Sequence, residues 1–76
     1  MDSSQAAYRL PPEELRHEYR VVALLKTTDS NLFITDSRDR ALMAFEALLK
    51  QRQHYRQIYI QVGMMVFDQG NLERLP

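Results

Sequence analysis

The sequence predicts a small α+β domain of β-β-α-β order, a three-stranded sheet in spatial order 2-1-3 with one main helix on one face and a short N-terminal helix. Three observations predict it. Residues 19–28 carry strand formers and lead through the turn cluster Asp29-Ser30-Asn31 into the short run Leu32-Phe33-Ile34-Thr35. Apolar residues then recur at helical spacing from Ala41 to Leu49, and residues 57–68 alternate with period two.

Residues 1–9 read as a loose polar arm, so the domain proper is expected at 10–76. Leu10-Pro11-Pro12-Glu13-Glu14-Leu15 announces a short helix: proline suits the first helical position, and the two glutamates complement the positive end of the dipole. In the first strand, Val21 to Leu25 is apolar without alternation, the mark of a central strand covered on both faces. Asn31 is expected to take a left-handed turn conformation between the two strands of an antiparallel hairpin.

Asp36 is the expected N-cap of the main helix, with Asp39 as its first-turn acid. The buried stripe is Ala41, Leu42, Phe45, Leu48 and Leu49. The end is expected near His54, where Lys50, Arg52, His54 and Arg56 gather at the negative end of the dipole. In the third strand Ile58, Ile60, Val62, Met64 and Val66 should meet the helix, leaving Tyr59, Gln61, Gly63, Met65 and Phe67 on the other face. Gly63 is expected to be a bulge or a point of close approach. A third strand parallel to the second, reached by a crossover, completes the topology.

This arrangement leaves one sheet face short of cover. It would carry Tyr59, Met65 and Phe67, with either Tyr19, Ala23 and Leu25 or Val22 and Leu24 from the first strand, and would exceed the roughly 300 to 600 Å² that monomers usually expose. The third strand, about twelve residues at roughly 3.3 Å each, is also a long apolar edge without proline. Symmetric pairing of two copies would cover both features, so a homodimer, or a complex with another protein, is expected with Tyr59, Met65, Phe67 and Tyr19 at its interface. The alternative cover is a tail, residues 71–76, that folds back over the patch.

Composition narrows the function classes. Apolar residues at 45% and charged residues at 26% suit a globular chain near the lower size limit for a single core. The absence of cysteine removes thiolate metal sites and disulfides and fits a cytoplasmic protein. No apolar run approaches the roughly 20 residues of a membrane helix. Ten basic against ten acidic residues leave no net charge to attract nucleic acid, so such binding would need a local patch.

Lys50, Arg52 and Arg56, with Tyr55 available for stacking, form that patch. Residues two apart on a helix point about 200° from each other, so cationic capping of a helix end explains the cluster more simply. His17 and His54 lie on different elements as surface histidines, and Asp36, Ser37 and Asp39 are explained by capping without a cation. No serine sits in a nucleophile elbow. Met43 and Met64 are expected in the core, and Met65 on the open face as an adaptable contact. The expected function is therefore a non-catalytic interaction or regulatory module, without metal or cofactor. A nucleic-acid-binding module is the second reading, and a small-ligand site at a dimer cleft the third.

Overall fold

A computed structural model describes residues 17–76. Its elements are β1 (Tyr19–Leu25), β2 (Ser30–Thr35), α1 (Arg38–Leu49), β3 (Tyr55–Val62) and β4 (Met65–Phe67), with single 3-10 turns at Arg52–His54 and Leu72–Arg74. The sheet order is β2-β1-β3-β4, and every neighbouring pair is antiparallel. The α+β class and the single main helix agree with the sequence reading, and the inner order 2-1-3 is present. The sheet has four strands rather than three. The expected N-terminal helix and arm lie outside the described residues.

The fourth strand arises at Gly63. Its φ of +60° lies in the left-handed region that glycine enters without a Cβ penalty. Val62 pairs with Met65, so Gly63 and Met64 form a two-residue hairpin loop with glycine first, the pattern of a type II′ turn. What reads as one strand over 57–68 is a strand, a reversal and a second short strand. Gly63 is neither a bulge nor a close approach: a Cβ added there meets nothing within 4 Å.

The reversal also changes which residues face α1. Val62 and Met65 are opposite one another and share a face, so side-chain parity flips across the turn. Phe67 consequently joins Ile60 on the α1 side and is buried, while Val66 goes to the far side with Gln61. The core is Tyr19, Val21, Ile60, Val62 and Phe67 from the sheet with Ala41 and Phe45 from α1, closed by Leu75 of the tail.

α1 presents the expected stripe: Ala41 and Phe45 are buried, with Leu42, Leu48 and Leu49 packed against the core. Its N-cap is Ser37 rather than Asp36. The Ser37 Oγ accepts from the Arg40 N–H at 3.2 Å, and its own N–H donates to Thr35 Oγ1 at 3.1 Å. Asp39 lies in the first turn as expected. The helix ends at Leu49, not near His54, and its last turn contains no basic residue. One turn beyond Leu48 and Leu49 the inward positions fall on Arg52 and Gln53, which are polar and exposed and do not continue the apolar stripe. The polar run is therefore a connector: Lys50 is the C-cap of α1, Arg52 and His54 lie in the 3-10 turn and Arg56 in β3, so of the four cations Lys50 alone stands at the end of the helix.

Three smaller expectations are corrected. Asn31 is a strand residue, and among the described residues only Gly63 has a positive φ outside the usual regions. Met43 and Met64 are exposed, Met43 because it points away from the stripe and Met64 because it occupies the hairpin loop. The tail packs with the core on the α1 side rather than over the opposite face: Tyr19 donates its hydroxyl to the Pro76 carbonyl at 2.6 Å, and Arg38 Nε donates to the Leu75 carbonyl at 3.2 Å.

Candidate interaction surface

The sheet face turned away from α1 is assembled by register alone. Val22 of β1 stands between Leu32 of β2 and Tyr59 of β3, and Leu24 lies between Ser30 and Gln57 in the next row. The third row runs Ile34, Arg20, Gln61, Val66 across all four strands. Since directly opposed residues in antiparallel strands share a face, Val22, Leu24, Leu32, Ile34, Tyr59 and Val66 form one apolar surface. Leu32 is 56% exposed, Ile34 49% and Val66 49%. Arg20 is the one cation in the rows, and its Nε is held by Glu18 at 2.7 Å.

Of the four residues expected at the interface, Tyr59 alone stands on this face. Tyr19 and Phe67 are buried in the core, and Met65 shares the α1 side with Val62 at the sheet edge. The difference has two physical sources: the parity flip at Gly63 moves Met65 and Phe67, and the phase of β1 moves Tyr19, since Val22 and Leu24 face out while Tyr19, Val21 and Ala23 are buried. The surface also includes Leu32 and Ile34, which sequence reasoning did not single out. Their signal was present, because a strand placed outside β1 in the order 2-1-3 is an edge, and Ser30–Thr35 holds no proline and no charge.

β3 is not an edge, since β4 covers it. Among the described residues the open edges are three-residue β4 and six-residue β2. On β2, Leu32, Phe33 and Ile34 are all exposed, with Phe33 at 44%.

The basic cluster is partly brought together. Arg52, Tyr55 and Arg56 line an open groove of about 510 Å³ that also contains Asp68, whereas Lys50 does not line it. Arg56 Nε already donates to the Leu25 carbonyl at 3.1 Å, at the point where the β1–β3 register shifts between Leu24 and Leu25. The Asp68 Oδ1 accepts from the Gly70 N–H at 2.8 Å. Two guanidinium groups with a carboxylate beside them make a mixed site rather than a strong positive one.

Among the described residues, no three His, Asp or Glu side chains come together to hold a metal. His17 and His54 each lie edge-on to a neighbouring tyrosine, Tyr19 and Tyr55, at ring distances of 6.0 and 6.5 Å. No described helix is long and apolar enough to cross a membrane. No protein family, characterised protein or solved structure matches the chain.

Proposed function

We propose that the protein is a small cytoplasmic interaction module, non-catalytic and homodimeric, whose working surface is the sheet face opposite α1. The observation that carries this reading is the apolar group Val22, Leu24, Leu32, Ile34 and Tyr59, with Val66 beyond Gln61, on a sheet face that no described element covers. Aliphatic groups around one tyrosine suit recognition of another protein surface. A single helix layer on the other side leaves the candidate groove open rather than enclosed.

The test is sedimentation equilibrium over a wide concentration range at low and high salt. Apolar self-association should persist at high salt. A monomer at every concentration overturns the homodimer. The convergence of Arg52, Tyr55 and Arg56 on one groove favours nucleic-acid binding as the second reading. That reading requires an oligonucleotide complex that weakens steeply with salt and with Arg52→Ala.

A further inference from the structure

We propose that the chain pairs with a second copy of itself through β2, the two strands running antiparallel about a two-fold axis at Phe33. This rests on the homodimer reading and identifies the contact that makes it. Sheet edges are normally blunted by charge, proline, a bulge or shortness. β4 is blunted by its three residues; β2 has six, no charge, no proline and an unbroken register with β1.

The backbone groups that β2 offers follow from its pairing with β1. The Leu25 N–H donates to the Asp29 carbonyl at 3.0 Å, which marks that pair as hydrogen-bonded. Hydrogen-bonded pairs alternate along an antiparallel ladder, so Ala23–Asn31, Val21–Phe33 and Tyr19–Thr35 are also hydrogen-bonded. The amide and carbonyl groups of Leu32 and Ile34 therefore point outward, away from β1. Both residues are exposed and lie on the apolar face.

Symmetry restricts the register. Opposed residues must share a face, so the axis passes through a residue rather than between two. At Phe33 it sets Phe33 against the partner's Phe33, Leu32 against the partner's Ile34, and Asn31 against the partner's Thr35. Apolar groups meet apolar groups and polar meet polar. Leu32 and the partner's Ile34 exchange their outward backbone bonds, and the symmetric pair repeats the exchange. An axis at Leu32 would instead oppose Asn31 to the partner's Phe33 and Ser30 to the partner's Ile34. An axis at Ile34 would oppose Leu32 to the partner's Asp36. Side-chain matching selects Phe33.

A second copy is the occupant this edge fits best, because the strand is complementary to itself and carries no charge to select a different partner. Ten basic and ten acidic residues also leave two copies without net repulsion. A strand pair of this length is a strip about 20 Å long and one strand wide, which buries less than the roughly 800 Å² per partner of a standard interface, so the dimer is a reversible one. Its product is an eight-stranded sheet with both helices on one side and the two apolar surfaces joined on the other.

The chain contains no cysteine, so one introduced thiol reports one position without competition. A non-hydrogen-bonded antiparallel pair brings Cα atoms to about 4.5 Å, within the range of a disulfide. Full-length F33C should oxidise to a covalent dimer at least about tenfold faster than M64C, whose thiol sits in the hairpin loop. The Leu32 and Ile34 amides of the unaltered chain should gain exchange protection as concentration rises. L32P should be a folded monomer, since the amide it removes points outward.

Preferential cross-linking of L32C overturns the Phe33 register. Preferential cross-linking of V66C, with unprotected Leu32 and Ile34 amides, overturns edge pairing while the homodimer stands. A monomer by sedimentation removes both. Amide exchange needs no variant, so the proposal remains testable if L32P fails to fold.

Discussion

Exchanging the roles of Val66 and Phe67 is the structure's sharpest departure from a straight third strand, and a pair of truncations measures it. Phe67 is 5% exposed and packs in the core, so Phe67→Ala should cost about 3–5 kcal/mol. Val66 is half exposed, and full burial of a valine is worth about 1.5 kcal/mol, so Val66→Ala should cost less than about 1 kcal/mol. At about 0.05–0.15 kcal/mol per residue the whole chain has roughly 4–11 kcal/mol of stability, so the first change removes about a quarter of it or more. With a urea slope of about 1 kcal/mol/M for so small a domain, the midpoints should fall by about 3–5 M and less than about 1 M respectively. Urea melts followed by circular dichroism at low protein concentration read both. Phe67→Leu, a milder loss in the same direction, keeps the comparison usable if Phe67→Ala does not fold. An equal or larger loss at Val66 would mean that the strand runs through Gly63 without reversing, and the hairpin would be wrong.

Ser37→Ala removes the side-chain acceptor of the Arg40 amide and should cost about 1 kcal/mol, seen as a melting temperature lower by about 4–8 °C. Gly63→Ala should cost about 1–2 kcal/mol in the same assay although its Cβ meets nothing, because the penalty lies in the backbone conformation; Gly63→Asn should recover part of the loss. Tyr19→Phe deletes the hydroxyl that holds the Pro76 carbonyl and should cost about 1 kcal/mol, with faster exchange of the Leu75 amide as the tail loosens.

Where burial set the pattern, the sequence was readable. The stripe from Ala41 to Leu49 placed α1, and the uninterrupted run Val21 to Leu25 placed β1 between two strands. What escaped depended on single residues without a periodic signal. Alternation on either side of Gly63 looks continuous, since a two-residue loop interrupts the pairing but not the apolar-polar pattern; only the left-handed φ of glycine marks the reversal. The choice of Ser37 over Asp36 as cap lay within one residue of the helix start, where either oxygen can serve. Tyr59 is legible on the open face because it precedes the turn. The faces of Met65 and Phe67 are not, because they follow it and the turn reverses their parity.

The protecting devices in this fold are unevenly distributed. β4 covers the edge of β3 with three residues, and the tail closes the core at Tyr19, Phe67 and Leu75. On the other side β2 has no neighbour among the described residues and no charged residue, and its three central side chains are exposed whichever face they occupy. A strand kept only to cover β1 would need apolar groups on the α1 side alone, which accounts for Phe33. Leu32 and Ile34 lie on the opposite side and cover nothing in α1. Their apolar character, beside an outward-pointing backbone, is what the proposed pairing of two copies through β2 would use.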